Sequence, residues 1–166
     1  PSSPGRAPGN GDATMTPMNH ASHTPCTPSP RVLMIYALAL GGLLVYSGLA
    51  PFDRPTWALE VAPVFIALAV MIATWRHFPL THLLYLCIFL HAVVLIVGGT
   101  YTYARVPFGF QLADLLGIER NPYDKIGHFF QGFVPALVAR EIFIRGVYVN
   151  GRRMLNFLVL CVVLAI

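Results

Sequence analysis

Long apolar runs with almost no charge govern what this chain can fold into. Val32–Ala50 holds no charged residue at all. Trp57–Thr74 holds one acid, Glu60, near its start, with Pro63 a turn further on. Leu80–Gly99 carries His82 and His91 but no Asp, Glu, Lys or Arg. Ile126–Ile144 has His128 near one end and Arg140 and Glu141 near the other. At ~1.5 Å of rise per residue, each run approaches the ~30 Å of a bilayer's hydrocarbon core. The runs are continuous and lack a period of two, which selects helices over barrel strands. A fifth run, Met154–Ile166, reaches only about 20 Å as a helix and is too short to span.

The fold expected is therefore all-α. It is a multi-pass transmembrane helix bundle of four full spans plus a truncated fifth, occupying residues 31–166. Composition agrees: 11% of the 166 residues are charged, where a soluble domain carries roughly 25%. Mean hydropathy is +0.65. Residues 1–30 are rich in Pro, Ser, Thr and Gly and lack the apolar side chains needed to offset ordering entropy, so they read as a disordered tail. The chain opens on Pro1 and closes at Ile166 inside an apolar run. That pattern suggests a piece of a longer protein, with Met15 or Met18 as a natural start.

The joins Pro51–Pro55, Trp75–Pro79 and Gly146–Arg153 are short, which implies antiparallel neighbours. Thr100–Lys125 is the exception. Within it Phe108, Leu112, Leu115 and Leu116 recur at helical spacing, predicting a short helix lying in the membrane interface. Basic residues in the joins set the orientation. With a cytoplasmic amino terminus, Arg31, Arg76, Arg145, Arg152 and Arg153 lie inside, with Arg140 nearby. Arg54, Arg105, Arg120 and Lys125 then lie outside, together with the long join.

The formal charge of +4 comes from scattered single residues, and without a basic run nucleic-acid binding has no support. Cys26, Cys87 and Cys161 form no CxxC pair and no disulfide framework. The bilayer is the one partner the sequence names. Cofactor, metal and protein partners are left unassigned.

Polar chemistry concentrates in Tyr123–Gly132, reading YDKIGHFFQG. Asn121 and Pro122 make a helix start, Asn as N-cap and Pro at the first helical position. Asp124 then falls in the first turn, where the helix dipole favours an acid whatever its function. His128 and Gln131 follow on the same face. Asp124 is thus placed to orient the His128 ring and raise its basicity, and the two are the candidate catalytic pair. Arg105, Arg120 and Lys125 are placed to converge near this helix start as an anion site. Tyr101 and Tyr103 read as an interfacial aromatic belt, or as the lining of a polar cavity. Arg140 can snorkel to the interface, whereas Glu141 has no long stem with which to escape. His91, mid-span, needs a partner inside the bundle. His82 lies on the opposite side of the same helix at ~3.6 residues per turn.

The run from Trp57 to Ile166 resembles the YjdF-like family of bacterial inner-membrane proteins of unassigned function. The likeness rests on Tyr101-Thr102-Tyr103-Ala104, Val106-Pro107-Phe108-Gly109, Arg120-Asn121, Tyr123-Asp124, His128-Phe129, Gln131-Gly132-Phe133 and Arg140-Glu141, with Trp57 and Glu60 upstream. The resemblance implies an inner-membrane location. It also implies a pattern that continues past Ile166 into an acidic Gly-Gln-Gly-Asp stretch, and a His before the Tyr-Thr-Tyr motif where this chain has Thr100. Asp124-Lys125 with His128-Phe129 is also similar to the DKxxHF element of VanZ-like envelope proteins.

Three functions fit these residues. The first is a polar pocket of Asp124, His128, Gln131 and Arg120 at the outer face, acting on or binding an envelope or lipid-headgroup ligand. The second is a small proton-coupled transporter using His91, Glu60 and Glu141 as relays. The third is a membrane assembly partner without a site of its own.

Overall fold

A computed structural model describes residues 27–146 and 151–164 of the chain. The expected tail, up to residue 26, lies outside the described residues. The described residues hold helices and no strand. The helices are α1 (Pro30–Leu49), α2 (Arg54–Thr74), α3 (His82–Tyr101), α4 (Pro107–Leu116), α5 (Tyr123–Arg145) and α6 (Arg152–Leu164).

Local chemistry sets the boundaries. α1 starts on Pro30, whose missing N–H costs nothing at a first helical position. Asp53 caps α2 by accepting the Thr56 backbone N–H at 2.8 Å. The short α1–α2 join is held to the far end of α3 by the Phe52 N–H, which donates to the Thr100 carbonyl at 3.0 Å. α4 stops at Gly117, in the left-handed region at φ 65, a conformation that costs Gly nothing.

Three helices, α1, α2 and α3, are long and apolar enough to cross a membrane. The expectation of four full spans included Ile126–Ile144. That segment lies within the 23-residue α5, which has the length. Asp124, Lys125, Arg140, Glu141 and Arg145 leave α5 less apolar than the other three. α6 is a shorter apolar helix.

α3 is the hub and packs against α1, α2 and α5, while α6 packs on α5. Its Ala92, Leu95 and Ile96 are buried against Leu40 and Leu44 of α1 and Val61 and Val64 of α2. A second cluster, Leu80, Leu84 and Tyr85, is packed by Leu137 and Val138 of α5. Many large apolar side chains point outward, among them Leu38, Leu59 and Leu83. An outward apolar surface is what a chain surrounded by lipid requires.

α4 forms where the long join predicted a helix. Gly109 and Ala113 are buried, while Phe108, Leu115 and Leu116 are exposed. Small residues let α4 sit close to the chain beneath it and turn its large side chains away.

Candidate functional site

The bundle has two polar ends. One is built around Tyr103, the other around Glu141.

At the tyrosine end α3 stops in an unusual turn. Thr102 and Tyr103 both adopt left-handed backbone, at φ 56 and φ 50. That region costs an L-residue roughly 1–2 kcal/mol. The Tyr103 N–H closes the turn on the Gly98 carbonyl at 2.8 Å. The turn sends the phenol ring back between α3 and α5. Only glycine leaves room for it there. A Cβ on Gly98 would lie 2.5 Å from the ring, and one on Gly127 would lie 2.6 Å from it. The Tyr103 hydroxyl then donates to Glu60 Oε2 of α2 at 3.0 Å. Gly99 admits Glu60 in the same way, since a Cβ there would sit 2.9 Å from the Glu60 Cβ. One side chain from the join thus ties α2, α3 and α5 together.

Neighbouring groups complete this end. Trp57 Nε1 donates to Ser47 Oγ at 3.0 Å, joining α2 to α1. Tyr123 lies 6.0 Å from Tyr103, ring to ring, and donates its hydroxyl to the Val94 carbonyl at 3.2 Å. Asn121 works as a clamp. Its Nδ2 donates to the carbonyls of Ala104 at 3.2 Å and Val106 at 3.1 Å. Its Oδ1 accepts the Tyr123 N–H at 3.0 Å. The expected N-cap role thus shifts by one residue. Pro122 occupies the cap position without a side-chain bond, and Asn121 acts from outside it. Burial, and then the Glu60 charge and hydrogen bond, hold the Tyr103 phenol well above the ordinary tyrosine range. The Asp124 carboxylate pushes in the same direction, so its field reaches the ring.

Asp124, His128 and Gln131 share one face of α5, as their spacing predicts, and all three are exposed. His128 Nε2 lies 3.6 Å from Asp124 Oδ1, with side chains 73% and 53% exposed. That separation allows an ion pair but is too long for the hydrogen bond that would fix a tautomer. The trio forms an open polar stripe above the Tyr103 lock. Next to it, Phe129 and Phe133 stack at 5.2 Å.

Arg105 lies over the Phe52 ring at 4.0 Å, a cation–π contact. Arg120 and Lys125 are exposed and make no ion pair among the described residues. The two belt tyrosines diverge: Tyr101 is 40% exposed, while Tyr103 turns inward.

The glutamate end is a closed lock. Glu141 accepts the Thr81 N–H at 3.0 Å and the Thr81 hydroxyl at 2.8 Å. Its Oε1 also pairs with Arg145 at 2.7 Å. Arg145 donates in turn to the Pro79 carbonyl at 2.6 Å and lies 4.3 Å over the Phe78 ring. Glu141 thus caps α3 from α5 and needs no escape to the interface. Arg140, beside it, is exposed.

The proposed relay residues stand apart. Glu60 serves Tyr103. His91 stacks on Phe130 at 6.3 Å and leaves its Nε2 buried without a partner. Between His91 and Thr81 the α3–α5 interface is packed by Leu84, Tyr85, Leu137 and Val138. Among the described residues no three His, Cys, Asp or Glu side chains are placed to hold a metal ion.

Residues 32–166 match the family described as predicted membrane protein DUF2238. The chain belongs to that family. It is also similar to the inner membrane protein YjdF of Escherichia coli strain K12, 58% identical over 140 residues. That alignment covers 84% of this chain and 67% of the relative. No solved structure matches. The match takes in both polar ends, so this DUF2238 member carries the Tyr103 lock, the α5 stripe and the Glu141 lock inside the family's matched region.

The Tyr103–Glu60 bond and the Asn121 clamp escaped sequence reasoning. The available signal was the glycines: Gly98-Gly99 just before Tyr-Thr-Tyr, and Gly127 inside the polar motif.

Proposed function

We propose that this protein is a bacterial inner-membrane protein whose α5 stripe binds the polar headgroup of an envelope or lipid-linked ligand. His128 is the contacting group and Asp124 its electrostatic partner. One observation carries the reading: Asp124 and His128 are exposed and adjacent, on a platform already satisfied by Tyr103, Glu60 and Asn121. The platform's hydrogen bonds do not use them, so their polar atoms are open to a ligand. Gln131 extends the same face, and Arg120 and Lys125 supply positive charge for a phosphate or carboxylate.

α5 is the fourth span in this reading, with α6 opening a fifth. The amino terminus is cytoplasmic, because Arg31, Arg76, Arg145, Arg152 and Arg153 then gather inside. That orientation puts the stripe at the outer surface. The location of the Escherichia coli relative and the excess of outward apolar side chains support the assignment to the inner membrane.

The test is a thermal-shift titration of the full chain in mild detergent. Glycerol phosphate, a headgroup without acyl chains, and inorganic phosphate are the probes. Stabilisation by either, lost in both His128→Ala and Asp124→Asn, supports the reading. The same stabilisation in both variants as in the parent, or none in the parent, overturns it.

A further inference from the structure

At the opposite end from the stripe, α1, α2 and α3 enclose a cavity of about 250 Å³. α1 and α2 meet near the tyrosine end, where a Cβ on Gly48 would lie 3.1 Å from the Trp57 ring. Away from that contact the cavity opens between them. Leu33, Tyr36, Leu40, Met71, Trp75 and Phe89 line its walls, and Tyr36 stacks on Phe89 at 4.8 Å. Met34 and Ile72 also line it and are 60% and 64% exposed, so the cavity opens on the flank of the bundle. In a bilayer that flank faces acyl chains.

Two cations stand at the cavity's end. Arg31 follows the lining residue Pro30, and Arg76 follows the lining residue Trp75. Both are exposed, and the Arg76 guanidinium lies 5.5 Å from the Trp75 ring centre. Among the described residues Glu141 is the acid at this end, and it is committed to Arg145 and Thr81. No acid among the described residues therefore neutralises the positive charge at the mouth. An apolar slot open to the membrane flank, ending at guanidinium groups that pair with no acid among the described residues, has the chemistry of a lipid site.

We infer that this slot holds one acyl chain of an anionic glycerophospholipid, with the phosphate at Arg31 and Arg76. The inference is independent of the α5 stripe, which lies at the other end of the bundle.

Trp75 in the wall supplies the test. The full chain and Trp75→Phe are reconstituted in phosphatidylcholine vesicles. Each receives a minor fraction of lipid brominated on its acyl chains, either phosphatidylglycerol or phosphatidylcholine. The fluorescence difference between the two proteins isolates Trp75 from Trp57. Brominated phosphatidylglycerol is expected to quench that difference at least two-fold more than brominated phosphatidylcholine. Arg31→Gln with Arg76→Gln should bring the ratio to one, and Ala37→Phe, which fills the slot, should weaken both. Equal quenching by the two lipids, or an unchanged ratio in the double variant, overturns the inference. So does efficient disulfide cross-linking of Ala37→Cys on a cysteine-free background, which would give the face to a second copy of the chain. Native mass spectrometry of the parent in detergent gives a second reading. Retained phosphatidylglycerol that is lost in the double variant supports the site, and none retained contradicts it.

Discussion

The two ends of the bundle use the same kinds of residue to different effect. At the glutamate end the central acid and its partners are all satisfied within the protein. Glu141 takes two bonds from Thr81 and one from Arg145, and Arg145 also reaches Pro79. At the tyrosine end an inner layer is closed in the same way, by Tyr103, Glu60 and Asn121. An outer layer of Asp124, His128 and Gln131 is left open. A buried polar network is costly unless complete, so the closed layers explain stability. Exposed groups that no packing demand accounts for are where function is to be sought.

The comparison can be broken first at its strongest point. Glu141→Ala removes an acceptor from Thr81 and leaves Arg145 without its partner. A loss of about 3 kcal/mol is expected, read from denaturant unfolding in detergent micelles. A loss under about 1 kcal/mol would show that the glutamate end is not a lock. Next comes Gly127→Val. Its Cβ would meet the Tyr103 ring, and overpacking of this kind costs about 1–3 kcal/mol. Pairing it with Tyr103→Ala should recover part of the loss, because the clashing ring is gone.

Tyr103→Phe comes third, at about 1–2 kcal/mol, since it keeps the ring and deletes one bond to a carboxylate. It also carries a pH signature. The folded phenol titrates above its unfolded value because burial and Glu60 oppose the phenolate. The stability it contributes is therefore full below the ordinary tyrosine value of about 10 and falls as pH rises through it. The parent should lose more stability above that pH than Tyr103→Phe. Tyrosinate absorbance should show the same early ionisation in both proteins, with one late-ionising tyrosine missing from Tyr103→Phe. Equal pH profiles for the two proteins would remove Glu60 and burial as the cause.

Much of the helical layout was legible in the sequence, because lipid imposes a single demand on every span. Apolar runs, Pro starts and short joins all report that demand locally. The helix in the long join was legible for the same reason, whereas the close contact made by its small Gly109 and Ala113 was not. Asp124, His128 and Gln131 shared a helix face as spacing alone dictates. The Glu60–Tyr103 bond was not legible, because its partners are far apart in sequence and the turn that joins them puts two non-glycine residues in left-handed backbone. Glu141, an acid with no stem long enough to leave the span, is satisfied by Thr81 and Arg145, and these partners were not legible because Thr81 lies far away in sequence. The contact of Arg105 with the Phe52 ring was not legible either, because it joins two different connections between helices.

The smallest expected effect is the most telling. If the α5 stripe is free of structural duty, His128→Ala should leave the unfolding free energy in mild detergent within about 0.5 kcal/mol of the parent. A loss above about 2 kcal/mol would place His128 in the same class as Glu141 and contradict the account.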